Sequence, residues 1–315
     1  MLKVAVLDDY QQVALEMADW SPLDGRVEVD TFADHVVDPA ALVDRLAAYD
    51  VVVAMRERTP LPREVITALP RLRLIVSTGR RNPVIDVEAA RERGIPVCGT
   101  GSLSTAPAEL TWALILGLAR DLVTEATQVR DGGWQTALGR DLAGSTLGIL
   151  GLGRIGAQVA AVGAAFGMRV QAWSQNLTDE RAAEVGVERV ELDALLAGAD
   201  VVTLHLVLSD RTRGLVGARE LGLMKPDALL VNTSRAGLVD TPALVEALHA
   251  GRLGGLGVDV FDEEPLPADH PLRSTPRTLA TPHVGYVTRN VYRNFFAGVV
   301  EDIAAYLEGE PIRTL

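Results

Sequence analysis

The stretch "TLGILGLGRIGAQVAAVGAAFG" constrains this chain more than any other. An apolar run ends in Gly151-x-Gly153-x-x-Gly156, and a helical pattern of small residues follows from Ala157 to Ala165. Gly151 allows a tight turn, Gly153 lets another group approach the backbone, and Gly156 lets helix and strand pack closely. The positive end of the helix then faces the turn, where a pyrophosphate is stabilised. Strand, glycine turn and helix in this order predict a parallel sheet and a dinucleotide site.

The rest of the chain has the same rhythm. "KVAVL" (3–7), "VVVAM" (51–55), "LRLIVS" (72–77) and "IPVCG" (95–99) predict strands, with helices near 39–48, 62–69 and 86–93. Asp38–Pro39 and Leu61–Pro62 put proline in a first helical turn. A long helical pattern runs from about Pro107 to Gln128. A second series follows: "TLGILG" (146–151), "MRVQAW" (168–173), "DVVTLHL" (200–206), "ALLVNT" (228–233), "LGGLGVDVF" (253–261) and "TLATPH" (278–283). Thr288 to Leu307 is helical, with Phe295, Val299 and Ile303 on one stripe. Near-continuous apolar strands between helices mean parallel sheets covered on both faces. At 315 residues, two such α/β units are expected.

A formal net charge of −12 argues against nucleic acid or an anionic membrane as partner. Any acidic ligand must then be met by local clusters of cations. Positive charge is almost all arginine, since Lys3 and Lys225 are the only lysines. The single cysteine, Cys98, allows no internal disulfide and fits a reduced, intracellular setting. No apolar run reaches membrane length, and "MLKVAVLDDY" lacks the features of a signal peptide. No His, Cys and Asp cluster has metal-ligand spacing, so no metal is expected.

The strand after the glycine turn ends in "AWSQNLTDE". A carboxylate there would bind a free ribose 2′-hydroxyl. Ser174 occupies the place, so acceptance of NADP(H) at least as readily as NAD(H) is expected. Thr178 is the expected cap of the next helix.

Ligands of such sheets bind beyond the carboxyl ends of the strands. Three polar clusters lie there: "NTSRAGLVD" (232–240), "GVDVFDEEPL" (257–266) and "TPHVGY" (281–286). Singly, Arg235, Glu264 and His283 read as a surface ion pair, a loop acid and a structural histidine. Together they suit a 2-keto acid. Arg235 can pair with the carboxylate and polarise the carbonyl. His283 can give a proton to the oxygen as hydride reaches carbon, and Glu264 can fix the imidazole tautomer. His205, also at a strand end, reads as structural.

In the motifs "LAGSTLGILGLGRIG", "HLVLSDRTRGLV", "NTSRAGLVD", "GLGVDVFDEEPLP" and "TPHVGY", the chain resembles the D-isomer-specific 2-hydroxyacid dehydrogenase family. "IDVEAARERGIPVCGT" and "AELTWALILGLAR" extend the resemblance over nearly the whole chain. It implies an α/β fold of two doubly wound parallel-sheet domains with a cleft between them. These would be a flavodoxin-like substrate domain, residues 1–99 plus 287–315, and a Rossmann dinucleotide-binding domain, residues 100–286. It implies a cytoplasmic oxidoreductase passing a hydride between NAD(P)H and the C2 carbonyl of a small 2-keto acid, giving the D-2-hydroxy acid. Arg235, Glu264 and His283 would be catalytic. Gly151, Gly153, Arg154, Ile155, Gly156, Ser174, Thr233, Ser234 and Asp259 would bind the cofactor, Asp259 near the nicotinamide carboxamide. A homodimer held partly by the long helix after Pro107 is also implied. The family includes formate and phosphite oxidisers, and some relatives are nucleotide-sensing scaffolds such as corepressors. Departures from the family pattern are Ala236, Val207, Pro107 and Tyr286, the last near where substrate is expected.

On the substrate side, "STGRRNPVID" occupies the place of the family's Thr-Gly-x-Gly loop, whose backbone N–H groups receive the substrate carboxylate. After Gly79, Arg80 takes the variable position and Arg81 replaces the second glycine. "MRERTP" resembles the Arg-x-Arg-Thr of phosphoglycerate dehydrogenases, where the arginines face a phosphate, so Arg56 and Arg58 are expected to share a face. Arg56, Gly79, Arg80, Arg81 and Tyr286 are the expected substrate residues. The substrate class is hydroxypyruvate, glyoxylate, or a phosphorylated or dicarboxylic hydroxy acid. A chain of this length lacks the appended regulatory domain of many phosphoglycerate dehydrogenases, so no amino-acid feedback through one is expected.

Overall fold

The apolar runs are short and β-branched, which favours strands, and the segments between them carry helix-start residues. The computed structural model describes residues 1–315. They fall into two units, residues 1–103 with 287–315, and residues 104–286. The first unit begins with β1 (Leu2–Val6), β2 (Val27–Thr31), α1 (Pro39–Leu46), β3 (Val51–Ala54), α2 (Arg63–Ala68), β4 (Leu74–Ser77), α3 (Val87–Glu92) and β5 (Val97–Gly99). The second holds α4 (Thr105–Ala119), α5 (Leu122–Arg130), β6 (Thr146–Leu150), α6 (Arg154–Ala165), β7 (Arg169–Trp173), α7 (Asp179–Val185), β8 (Glu188–Arg189), α8 (Leu192–Gly198) and β9 (Val201–Leu204). It continues with α9 (Ala218–Leu223), β10 (Leu229–Asn232), α10 (Thr241–His249), β11 (Gly255–Val258) and β12 (Thr278–Ala280). The closing helix, α11 (Arg289–Leu307), returns to the first unit.

All strand pairs are parallel. The first sheet has the order β2-β1-β3-β4-β5 and the second β12-β11-β10-β9-β6-β7-β8. The strand order reverses at β1/β3 in one sheet and at β6/β9 in the other, which opens a crevice at the carboxyl edge of each. Alternating strand residues feed opposite faces. Leu147, Ile149, Val201, Leu229 and Val231 pack under α4 and α6. Leu150, Val202, Leu204, Leu230 and Leu256 pack under α8, α9 and α10. In α11, Phe295, Val299 and Ile303 are buried, as their spacing predicts.

The pattern from Pro107 to Gln128 is not one helix. It breaks at Asp121, whose φ is +49°, into buried α4 and α5, which buries no residue. The edge strands β2 and β8 carry no strand prediction, because half-exposed edges lack a continuous apolar run. Asp259 lies just past the end of β11 rather than inside a strand running to Phe261.

Candidate active site

The glycine turn forms as the spacing predicts. Gly151 has a φ of +103°, and a Cβ there would meet the His205 carbonyl oxygen at 2.7 Å. A Cβ on Gly156 would run into the Gly151 carbonyl oxygen, so α6 can start this close to the turn only with glycine. Above Gly153, the N-cap of α6, a Cβ would meet nothing within 4 Å. That open backbone at a 12-residue helix's N-terminus fits a dinucleotide pyrophosphate. Arg154 is exposed beside it, while Ile155 leans on the core. Ser174 follows β7 directly and is half-buried. Thr178 caps α7, accepting from the Arg181 amide at 3.2 Å.

Three neighbouring strands, β10, β11 and β12, deliver the polar set. His283 Nδ1 lies 2.6 Å from Glu264 Oε2, both side chains being mostly buried. Glu264 Oε1 accepts from the Phe261 amide at 2.9 Å, which fixes the carboxylate plane. Burial alone would raise the Glu264 carboxyl's pKa. The His283 bond and charge, with a lesser share from Arg235, outweigh it and hold the group below the usual carboxylate range. With Nδ1 on Glu264, the imidazole has Nε2 to offer a substrate proton. Arg235 Nη1 donates to the Ser234 carbonyl at 2.7 Å, and Asn232 Nδ2 donates to the Arg235 carbonyl at 2.9 Å. Ser234 Oγ donates to the Leu206 carbonyl at 2.6 Å, and Thr233 meets Thr111 of α4 at 2.8 Å. Tyr286 is buried, its ring edge-on to His283 with centroids 5.6 Å apart.

Sequence reasoning missed what holds His283 in place. Asp259 is fully buried and spends both oxygens on the histidine's own loop. Oδ1 accepts from Thr281 Oγ1 at 2.6 Å and the Val284 amide at 2.8 Å, and Oδ2 accepts from the Gly285 amide at 2.8 Å. Burial pushes its carboxyl up against these bonds. They pin a loop in which His283 has a φ of +52°, costly for a residue with a Cβ. His205 bonds Thr203 at 3.0 Å, and burial pushes its imidazole down to about 4, so it is neutral and structural at neutral pH.

In the first unit, Arg56 and Arg58 do not share a face. Arg56 has a φ of +53°, which breaks strand alternation just past β3. Its guanidinium lies over Gly79 in the loop after β4 and also reaches Glu57 at 3.5 Å. Arg58 turns the other way, to the loop after β1. It donates to the Asp8 carbonyl at 3.0 Å and stacks over Tyr10, 4.7 Å from the ring centroid. The Gly79 N–H is engaged by Thr100 Oγ1 at 2.9 Å. The Arg80 and Arg81 amides, by contrast, make no backbone bond. Arg80 and Arg81 are both exposed. Asn82 braces the loop, donating to the Arg56 carbonyl at 2.6 Å and Ser77 Oγ at 3.0 Å. The Asn-Pro pair in the sequence marks a turn there, but not this contact. Asp8 was also unforeseen: its buried carboxylate meets His35 Nδ1 at 2.9 Å and Thr59 Oγ1 at 2.7 Å.

Residues 112–285 match the family model described as D-isomer specific 2-hydroxyacid dehydrogenase, NAD binding domain. A glyoxylate reductase of Aeropyrum pernix is 42% identical over 257 residues, 78% of this chain and 77% of that protein. A D-3-phosphoglycerate dehydrogenase of Methanocaldococcus jannaschii is 36% identical over 314 residues, 98% of this chain but 58% of that protein. Among solved structures, a phosphoglycerate oxidoreductase from Vibrio cholerae superposes with a TM-score of 0.93 at 40% identity, over 98% of this chain and 100% of that one.

Proposed function

This chain belongs to the D-isomer-specific 2-hydroxyacid dehydrogenases, NAD-binding oxidoreductases of 2-keto and D-2-hydroxy acids, and on that premise we propose how its own residues carry the reaction. The observation that bears most weight is the 2.6 Å His283–Glu264 pair, set at the strand ends of the unit that carries the glycine turn. When bound, a nicotinamide cofactor would supply or accept the hydride at C2. His283 delivers the proton to the carbonyl oxygen from Nε2. Glu264 holds the imidazole tautomer through the contact at Nδ1. Arg235 pairs with the substrate carboxylate and draws electron density from the carbonyl.

Cofactor binding is assigned to Gly151, Gly153, Arg154, Ile155, Gly156, Ser174, Thr233, Ser234 and Asp259. The absence of an acid at Ser174 supports acceptance of NADP(H) alongside NAD(H). Residues 1–99 with 287–315 are assigned as the substrate domain and 100–286 as the nucleotide domain. Arg56, Gly79, Arg80, Arg81 and Tyr286 are assigned to substrate, with Arg56 and the Arg80 and Arg81 amides as the anion receivers. Their charge favours glyoxylate, hydroxypyruvate or a hydroxy acid with a second anionic group. The chain is read as a cytoplasmic homodimer. Exposed apolar side chains at Leu122, Val123, Val129, Trp134 and Leu138 support self-association, and the single buried cysteine suits a reducing compartment.

A panel of 2-keto acids with NADH and with NADPH, followed at the nicotinamide absorbance, tests the proposal. Glyoxylate or hydroxypyruvate should be turned over with either cofactor. Turnover of formate or phosphite, and of no keto acid, would sink it.

A further inference from the structure

β6 lies between β9 and β7, so the loops after β9 and β7 flank the glycine turn. The β9 loop presses on that turn through the His205 carbonyl and is itself tightly built. Buried Thr212 donates through Oγ1 to the Val207 carbonyl at 2.7 Å and accepts from the Ser209 amide at 2.8 Å. The amides of Thr212 and Arg213 both return to the Ser209 carbonyl, at 3.0 and 2.9 Å. Arg211 sits within this turn. From the other side of the glycine turn, Gln175 Nε2 donates to the Arg211 carbonyl at 3.3 Å. Gln175 is the residue after Ser174, so the link brings the Arg211 backbone beside the place where a ribose 2′-substituent is read.

Charge points the same way. Two guanidiniums that follow β7 are committed, Arg181 to Glu184 and Arg189 to Asp179 and Glu191. Arg211 is exposed and enters no ion pair. Ser174, Gln175 and Asn176 bring no negative charge; the acids nearest in sequence are Asp179 to that segment and Asp210 to Arg211.

We propose that Arg211 grips the 2′-phosphate of NADP(H) and sets cofactor preference, with Gln175 steadying the loop that carries it. This rests on the reading that the glycine turn binds a dinucleotide. A guanidinium matches phosphate geometry and donates charge-assisted hydrogen bonds to it. At so exposed a site, the attraction weakens as salt rises.

Calorimetric titration with adenosine 2′,5′-bisphosphate and with 5′-AMP, at low and high salt, tests this without turnover. The wild-type protein should bind the bisphosphate about tenfold tighter, the scale of one charge-assisted contact. Arg211→Ala should remove most of that preference, leave 5′-AMP affinity and melting temperature nearly unchanged, and raise the KM for NADPH but not for NADH. Arg211→Lys should restore part of it. If wild type and Arg211→Ala share the same preference, the Arg211 assignment falls while NADP(H) acceptance stands. Equal loss of both affinities in Arg211→Ala makes the residue a structural support and also overturns the assignment. A wild-type protein that binds both nucleotides without preference overturns the inference and NADP(H) acceptance together, and one that binds neither overturns the dinucleotide reading.

Discussion

Three of the seven residues that carry a Cβ in left-handed backbone lie shortly after strand ends: Asp8 at φ +57°, Arg56 at +53° and His283 at +52°. Each such residue costs on the order of 1 kcal/mol and persists only where its surroundings over-determine it. Around His283 the constraint is Asp259 and Glu264. Glu264→Gln keeps the shape but loses the charge beside the ring. The rate constant for keto-acid reduction should fall by roughly 10²- to 10⁴-fold with KM little changed. Unchanged steady-state kinetics would refute the role. Because Glu264 is held below the usual range, the pair should stay intact at neutral pH and be lost only as pH falls through that depressed value. Arg81→Gly returns a flexible loop residue and removes one cation. It should raise the KM for dianionic substrates more than for glyoxylate, and equal KM values across both classes would remove Arg81 from substrate choice.

Asp302 of α11 is fully buried, with Oδ1 taking the Arg313 guanidinium at 2.9 Å and Oδ2 lacking a partner. Burial pushes its carboxyl up to about 6 from an ordinary 3.8. The folded chain thus holds a proton that the unfolded chain has already released. That contribution is full below about pH 4 and is lost as pH rises through about 6. Asp302→Asn should flatten the dependence of melting temperature on pH between 4 and 7, by the equivalent of on the order of 1–3 kcal/mol. Parallel curves for the two proteins would show that Asp302 does not titrate there.

At the scale of elements, the glycine turn works because β6, α6 and the β9 loop converge on one backbone corner. Gly156→Ala puts a methyl into the Gly151 carbonyl. α6 must then lift or tilt, at a cost of about 1–3 kcal/mol typical of overpacking. Both a lower melting temperature and at least a tenfold loss of dinucleotide affinity are expected, and a stable variant with full affinity would contradict the packing account. The α4–α5 break shows the limit of periodicity. The residues from Pro107 to Gln128 all suit a helix, and α4 is apolar on most sides because it is buried under the second sheet. What stops it is Asp121 in the left-handed region, after which α5 carries Leu122 and Val123 into the open.

For the molecule as a whole, those apolar side chains are the exposed surface most in need of a partner. Trp134 is 73% and Leu138 100% exposed, in one segment with Val129. Apolar groups gathered this way mark association surfaces. Sedimentation velocity should find a dimer, and the double variant Trp134→Glu with Leu138→Glu should shift it toward monomer. A wild-type monomer at micromolar concentration would argue against the surface.

The glycine turn, the gathering of Arg235, Glu264 and His283 at neighbouring strand ends and the two α/β units were legible in the sequence. Each is encoded locally: glycine spacing records backbone sterics, and a polar cluster after an apolar run marks a strand's carboxyl end. Strand order is not written that way, since parallel strands look alike in a linear pattern. It alone put β3 between β1 and β4, so that Arg58 leans to Asp8 while Arg56 leans to Gly79. It likewise set β6 between β7 and β9, so that Gln175 meets Arg211. The sequence by itself determined which residues stand at the strand ends and what chemistry they carry. The tertiary structure decided which of those side chains come together and which, like Asp259, also hold a neighbouring loop in place, because that depends on neighbours distant in the chain.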